Sequence, residues 1–179
     1  VAEKLLPPQE IINRLQQGGL VVYLRHAATD RSQEDQHPVD LKQCATQRNL
    51  STAGKKQSKN IGAAFKRLAI PVSEVFASPF CRCKDTAQLA FGDYRIDHNL
   101  YFAVALEKQQ RDQQTKVLKD LLSDTPDSGN RVIVSHTGNL REATGLWPKP
   151  EGVAYIFEPN EIPTPHLVGI IKPDEWNNL

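Results

Sequence analysis

The sequence lacks an excess of charge of either sign and lacks any long apolar run. Its 22 lysines and arginines nearly balance 21 aspartates and glutamates, which argues against a broad nucleic-acid interface. No apolar run approaches the roughly 20 residues that a bilayer span needs, so we expect no membrane span. Low-complexity stretches and internal repeats are also missing. These absences leave a globular protein of ordinary composition, with 39% hydrophobic residues, as the expectation.

Methionine is absent altogether, even at position 1. We therefore expect that a segment before Val1 was removed, either as a cleaved signal peptide or by trimming. Cysteine is scarce, with Cys44, Cys81 and Cys83 as its three copies. An odd count is not typical of a disulfide framework. It leaves two alternatives open, a single Cys44–Cys81 bridge or unpaired thiols, and Cys83 could compete for either partner.

Apolar runs alternate with helical patterns along the chain. Such alternation predicts an α/β fold with a mostly parallel sheet that is covered by helices on both faces. No linker divides the chain, so residues 1–179 are expected to form one domain. A long polar loop is predicted over residues 27–50. The predicted strands are 20–24, 73–78, 94–97, 131–135, 153–158 and 167–171. The predicted helices are a short one between Pro8 and Gly18, one from the cap Ser51 to about Ala69, and the segments 82–91 and 107–122.

Cationic and imidazole side chains follow three of the predicted strands. Arg25 and His26 come directly after "LVVYL", Arg82 follows "VFAS" within a few residues, and His136 follows "RVIVS". Ligands of open α/β sheets bind outside the carboxyl ends of the strands, so these four side chains are expected to converge there. Arginine forks match phosphate oxygens, and a histidine can act as a nucleophile. The pattern predicts a phosphate pocket, to which the start of a helix at Thr137 adds backbone N–H groups.

Five ordered stretches make the sequence similar to the histidine phosphatase superfamily, in the branch that includes cofactor-dependent phosphoglycerate mutase, and to its small exported phosphatases. The resemblance implies a three-layer α/β/α sandwich of the phosphoglycerate mutase type. It also implies that His26 becomes a phosphohistidine and that Arg25, Arg82 and His136 bind the phosphoryl group. The first motif carries Ala27 where the family usually has glycine. The stretches are "RHAAT" (25–29), "RNLSTAGKKQS" (48–58), "ASPFCRCKDTA" (77–87), "VIVSHTGN" (132–139) and "PEGVAYIFEP" (150–159).

The general acid of the mutase-like members has no clear counterpart here. Phe102 stands where that glutamate is expected, within "NLYFAVALEK". Asp97, Glu107 and Glu151 are the alternatives, and Glu107 is preferred because it can begin a helix that faces the cleft. Without this acid, hydrolysis is favoured over a mutase reaction, since resynthesis of an ester also needs acid–base help.

The sequence therefore predicts a phosphomonoesterase that works through a phosphohistidine intermediate, without a metal or a dissociable cofactor. Its partner would be a small phosphorylated substrate, and the identity of that substrate stays open. The alternatives are a phosphoglycerate-mutase-type phosphotransferase and a catalytically weak phosphate-binding pseudoenzyme. A missing initiator and the likeness to exported members predict a periplasmic or secreted protein, with the cytoplasm as the alternative. Trp147 and Trp176 are expected to be packing residues.

Overall fold

The computed structural model describes residues 4–161 and 165–179, and these residues build one six-stranded sheet between two helical layers. The spatial order of the strands is β3-β2-β4-β1-β5-β6. Periodicity located all six strands to within one or two residues. Their bounds are Val21–Arg25 (β1), Val72–Ala77 (β2), Arg95–Ile96 (β3), Asn130–Ser135 (β4), Ala154–Glu158 (β5) and His166–Ile171 (β6).

Strand direction confirms the mostly parallel sheet. The pairs β1–β4, β2–β4 and β2–β3 are parallel. β5 runs antiparallel to both β1 and β6, so five of the six strands point the same way. In the centre of the sheet Arg25 lies in register with Ser135, the last residue of β4. The next residues along the two strands, His26 and His136, are thereby brought to the same edge.

Among the described residues, five α-helices cover the sheet. Ser51 caps α2, because its hydroxyl accepts a hydrogen bond from the Gly54 N–H at 3.0 Å. Gly92 and Gly145 follow the last residues of α3 and α5 with positive φ angles, which glycine adopts at little cost. The bounds are Pro8–Gln17 (α1), Thr52–Arg67 (α2), Cys81–Phe91 (α3), Lys108–Ser123 (α4) and Thr137–Thr144 (α5).

Alternation along the strands divides the core into two clusters and confirms the three-layer sandwich. Val22 and Leu24 of β1 face a cluster that includes side chains of α1, α2 and α3. Val21 and Tyr23 face the opposite cluster, to which α4 and α5 contribute. Trp176 is buried in the first cluster as expected. None of the helices in the described part of the chain is both long and apolar enough to cross a membrane.

Trp147, which was expected to be a packing residue, lies at the surface. Its side chain is 52% exposed, in the segment between α5 and β5. The Arg141 guanidinium lies 4.3 Å from the centre of its ring, and the Lys149 ammonium lies 5.6 Å away. An indole can stack with cations at the surface as readily as it can fill a core, and residue type alone does not distinguish these two environments.

The 27–50 loop is confirmed as a long irregular segment, and a disulfide ties it down. Cys44 begins a short 3₁₀ turn, Cys44–Thr46, and is bonded to Cys81 at the first turn of α3. The sequence left open whether Cys44 and Cys81 are bridged or free, and the structure shows that they are bridged. Cys83 is the free, buried cysteine. Burial raises the pKa of its thiol to about 12.

Candidate active site

His26 is buried directly after β1, and its backbone is held on both sides. Its N–H donates to the Ser135 carbonyl at 3.0 Å, and its carbonyl accepts from the Gly152 N–H at 2.8 Å. The next residue, Ala27, donates its N–H to the Thr86 hydroxyl at 3.1 Å. Hydrogen bonds from β4, α3 and the segment before β5 therefore fix the position from which the imidazole projects.

The close approach of α2 to the segment after His26 requires glycine. The Ala28 carbonyl accepts a hydrogen bond from the Ser51 N–H at 3.0 Å, and the Ala28 N–H donates to the Gln57 side chain at 3.1 Å. A Cβ atom on Gly54 would lie 1.9 Å from the Ala28 oxygen. The stretch "LSTAG" (50–54) therefore allows α2 to pack closely against the segment after His26, because Gly54 has no side chain and Ser51 caps the helix.

The geometry of His26 indicates which ring nitrogen is free. Nδ1 lies 3.0 Å from the carbonyl oxygen of Ala27. Because a carbonyl can only accept, Nδ1 carries the proton and Nε2 keeps its lone pair. Burial, followed by repulsion from Arg82, lowers the pKa of His26 to about 3. The ring is consequently neutral at ordinary pH and has a nucleophilic nitrogen available.

His136 lies beside His26, as its place after β4 predicts. The two rings are 5.7 Å apart between centroids and meet edge to face. Nε2 of His136 lies 2.8 Å from the Ser78 hydroxyl, and the Cys83 sulfur lies 3.7 Å from the same nitrogen. Burial and then the Arg82 charge lower the pKa of His136 well below its ordinary value. Two neutral imidazoles thus share this edge of the sheet.

The two predicted arginines are both at this site. Arg82 is only 1% exposed. Arg25 is half-buried and donates from Nη1 to the Pro148 carbonyl at 3.1 Å. Burial lowers the pKa of Arg25. The Nε atoms of Arg25, Arg82 and a third arginine, Arg48, are buried without a hydrogen-bond partner. Unsatisfied buried donors are costly, so three of them at one site suit the binding of an anion.

Asp35 is a site residue that sequence reasoning missed. Its carboxylate accepts a hydrogen bond from Nη1 of Arg82 at 2.9 Å and another from the Arg48 N–H at 2.8 Å. Although burial raises the pKa of Asp35, these hydrogen bonds hold it below its ordinary value. Asp35 lies in an irregular loop without a pattern, 47 positions from Arg82, so no local signal identifies it.

Phe102 occupies the site where the acid was expected. Its ring lies 5.1 Å from the His136 ring, and the Arg82 guanidinium carbon lies 5.4 Å from its centre. Phe80 packs against the same imidazole at 5.2 Å. The side of the site next to His136 is therefore apolar. Phe102 thus places an uncharged ring against both His136 and Arg82.

The three candidate acids have different surroundings. Glu107 is the exposed residue before α4, and its side chain makes no hydrogen bond or ion pair within the described residues. Asp97 caps a short 3₁₀ turn by accepting the Asn99 N–H at 2.9 Å. Neither contacts a histidine of the site, so the structure gives no support to the preference for Glu107.

Glu151 is the candidate acid that touches a site histidine. It is 9% exposed and accepts a hydrogen bond from the Thr29 hydroxyl at 2.7 Å. Its Oε2 lies 3.8 Å from Nδ1 of His26, and Arg31 lies 3.6 Å from its other oxygen. The carboxylate therefore faces the protonated nitrogen of His26 and lies on the opposite side of the ring from Nε2.

Thr137 and the remaining features complete the site. Thr137 begins α5, and its hydroxyl donates to the Pro148 carbonyl at 3.4 Å. No group of three histidine, cysteine, aspartate or glutamate side chains suited to a metal ion occurs among residues 4–161 and 165–179. A cavity of about 670 Å³ lies between α2, α3 and β2, but none of the site residues lines it. The chemistry of the side chains, and not cavity size, defines this site.

The two neutral histidines make acid stability a test of the site. An unfolded chain takes up protons on both histidines below pH 6.5, whereas folded His26 does so only near pH 3. The free energy of unfolding is therefore expected to fall as pH drops from 6.5 towards 3, by up to about 1.4 kcal/mol per pH unit for each histidine. Urea unfolding at pH 7, 6, 5 and 4 measures this slope.

The matched control for the pH series is the His26→Gln/His136→Gln double variant. Its amides do not titrate, so its unfolding free energy should decline less steeply over the same range. Equal slopes in the two proteins would show that neither histidine is held neutral.

Comparisons with known proteins agree with this geometry. Residues 21–100 match the family model of the histidine phosphatase superfamily (branch 1). These residues include Arg25, His26 and Arg82, and the structure adds His136 beside them. A comparison with curated proteins gave no match. The family model covers less than half of the chain, so over residues 21–100 the chain is similar to the histidine phosphatase superfamily, and the fold agrees with this similarity.

Solved structures share the fold over nearly their whole length. The protein histidine phosphatase SixA, in complex with tungstate, is 14% identical, with a TM-score of 0.59 over 87% of this chain and 98% of that chain. The product of open reading frame Rv3214 from Mycobacterium tuberculosis is 16% identical, with a TM-score of 0.62 over 83% and 95%. A variant of Entamoeba histolytica phosphoserine phosphatase, in complex with phosphoserine, is 14% identical, with a TM-score of 0.58 over 86% and 97%. Identities this low establish the phosphoglycerate-mutase-like fold and leave the substrate undetermined.

Proposed function

We propose that the chain is a phosphomonoesterase that hydrolyses a small phosphate ester through a phosphohistidine on Nε2 of His26. One observation carries the proposal. A buried, neutral His26 with its Nε2 lone pair unused stands beside His136 and buried arginines whose Nε atoms have no partner. A neutral nucleophile among fixed cations is the arrangement that attack on a phosphoryl group needs.

The reaction has two displacements at phosphorus. Nε2 of His26 first attacks the phosphorus atom, the ester P–O bond breaks, and the leaving oxygen departs as an alkoxide or aryloxide that takes a proton from water. Water then attacks the phosphorus of phosphohistidine, the P–N bond breaks, and inorganic phosphate is released. Arg25, Arg82 and the first-turn N–H groups at Thr137 would stabilise the charge on the non-reacting oxygens in both steps. Glu151 would stabilise the positive charge that develops on the His26 ring.

The named relatives support the reaction class and not a substrate. One is a protein histidine phosphatase and another is a phosphoserine phosphatase, so leaving groups of different chemistry occur on this fold. We therefore assign hydrolysis of a phosphate monoester and leave its alcohol unassigned. The apolar surroundings of Phe102 favour hydrolysis over a mutase reaction, because they offer no acid or base to a second hydroxyl group.

We further propose that the protein works in the periplasm or outside the cell. The Cys44–Cys81 disulfide supports this compartment, since disulfides persist in oxidising surroundings and are rare in a reducing cytoplasm.

The leaving group provides a test of the mechanism. In-line displacement puts the leaving oxygen opposite Nε2 of His26, whereas Glu151 faces Nδ1 on the far side of the ring and cannot protonate that oxygen. Without a proton donor the leaving oxygen bears full charge, and general acids typically contribute about 10²–10⁴-fold. We expect the single-turnover rate of phosphate release to be higher for aryl phosphates than for alkyl phosphates by about this factor.

Two variants sharpen this experiment. Glu151→Gln should slow aryl and alkyl esters by the same factor, because Glu151 acts on the His26 ring. Glu107→Gln, the matched control on an exposed residue, should leave both rates unchanged. If Glu107→Gln or Asp97→Asn slowed alkyl esters selectively, that residue would be the general acid. Absence of phosphate release from an activated aryl ester would refute the proposed function itself.

A further inference from the structure

Arg48 is placed beside Arg82 by both of its backbone groups. Its N–H donates to the Asp35 carboxylate at 2.8 Å, and its carbonyl accepts from Nη1 of Arg82 at 3.3 Å. Asp35 in turn accepts from the same Nη1 at 2.9 Å. The three residues form a closed set of hydrogen bonds, so Arg48 cannot shift without disturbing a buried arginine of the site.

The Arg48 side chain forms no ion pair within the described residues, and Asp35, whose pKa its charge helps to lower, is already paired with Arg82. The Nε of Arg48 is buried without a hydrogen-bond partner, and none of the described carboxylates forms an ion pair with this arginine. Its positive charge reaches both site histidines and Arg25, since it helps to lower the pKa of each. An unpaired cation that repels other buried cations is costly unless an anion binds among them.

Covalent and polar links hold this part of the loop against α3. Cys44 is bonded to Cys81, and the side chain of Gln47 accepts the Cys81 N–H at 2.8 Å. Arg82 is the next residue of α3. The first turn of one helix thus carries Arg82 and anchors the loop that carries Arg48.

We propose that Arg48 is a third phosphate-binding arginine and that the Cys44–Cys81 disulfide holds it in the site. The ligand is the dianion of inorganic phosphate or of a phosphate monoester. Four arginines (Arg25, Arg31, Arg48 and Arg82), two carboxylates (Asp35 and Glu151) and two neutral histidines leave a net charge of about +2, which favours a dianion. The inference rests on the proposed function for the location of the phosphoryl group, but it concerns binding and not turnover.

Calorimetric titration of the whole protein with inorganic phosphate tests the role of Arg48. Loss of one charge-assisted hydrogen-bonding group should raise the dissociation constant about 10–100-fold in Arg48→Gln. Arg48→Lys should lie between this variant and the wild type, because lysine keeps the charge and loses the fork. Lys42→Gln removes the same charge from an exposed position of the same loop and should change the constant less than twofold.

The disulfide is tested in the Cys44→Ser/Cys81→Ser double variant. It should bind phosphate as weakly as Arg48→Gln, and adding Arg48→Gln to it should weaken binding little further, since both changes act on one group. Titration of the unfolded, unreduced wild-type protein should find one free thiol. Circular dichroism at the titration temperature identifies any variant that has unfolded. If Arg48→Gln is unfolded, the phosphate affinity of Arg48→Lys is compared with that of the wild type instead.

The outcomes separate the two proposals. Wild-type affinity in Arg48→Gln, or no phosphate binding by the wild type, would overturn the assignment of Arg48. Three free thiols, or wild-type affinity in the folded double-serine variant, would overturn the role of the disulfide. Arg48-dependent phosphate binding without any ester hydrolysis would leave the arginine assignment standing and remove only the proposed phosphomonoesterase.

Discussion

Replacing His26 with alanine is expected to lower the rate of phosphate release by at least about 10⁴-fold. The variant removes the Nε2 atom that forms the bond to phosphorus, and no other described side chain offers a neutral nucleophile at that position. His136 is neutral too, but its Nε2 is engaged with Ser78 at 2.8 Å. Steady-state kinetics with an aryl phosphate measures the loss.

Binding should survive the same substitution. Arg25 and Arg82 remain in His26→Ala, so the dissociation constant for inorganic phosphate is expected to change only a few-fold. His98→Ala, which alters an exposed histidine, is the matched control and should keep wild-type kinetics. Combined loss of binding and turnover in a folded His26→Ala would assign His26 to positioning instead of covalent catalysis.

The covalent intermediate provides an independent readout of His26. A phosphoryl group on an imidazole nitrogen is a phosphoramidate, which is stable in alkali and lost in acid. Wild-type protein quenched during turnover of a ³²P-labelled ester should retain label in alkali, and His26→Ala should retain none. Label that survives acid would identify an oxygen ester and contradict the phosphohistidine mechanism.

Arg82→Ala is expected to reduce turnover by about 10²–10³-fold, the usual cost of removing one fixed donor from a developing oxyanion. Arg82 is almost fully buried, and its loss also leaves Asp35 without its ion-pair partner. The same range is expected for Arg25→Ala. Aryl phosphate kinetics should show the loss in the catalytic rate constant, with inhibition by vanadate, a pentacoordinate mimic, weakened in parallel.

A second substitution separates the two effects of Arg82. In Arg82→Ala/Asp35→Asn the buried carboxylate is neutralised, so the unfolding free energy should recover part of its loss while turnover stays low. Arg95→Ala, on the short exposed edge strand, is the charge-matched control. Full recovery of turnover in the double variant would mean that the unpaired Asp35, and not the missing fork, caused the defect.

Local patterns were sufficient for the elements and for the centre of the site. The strands that precede His26 and His136 are short apolar runs that end in a polar residue, and the helix after Ser51 shows a clear 3.6-residue period. Because the carboxyl ends of parallel strands share one edge, the order of these elements along the chain already implied that Arg25, His26 and His136 would meet.

Local patterns did not identify the site residues that lie in loops. Asp35 and Arg48 lie in the irregular 27–50 segment, where neither a period nor a cap indicates which side chains turn inward. The Arg82–Asp35 and Cys44–Cys81 contacts bridge 47 and 37 positions, respectively. The resemblance to a family did not help here, because Asp35 lies outside the matching stretches and the stretch that begins at Arg48 came without a role for that arginine.

The sequence by itself thus determined the sandwich and the four side chains that meet at the sheet edge, since both follow from local periodicity and chain order. Only the tertiary structure decided that the histidines are neutral, that Phe102 packs against His136, that Glu151 faces Nδ1 of His26, and that Arg48 lies beside Arg82 in a loop with a disulfide. Burial and charge–charge distance are properties of packed neighbours from distant parts of the chain, and no local stretch of sequence contains them.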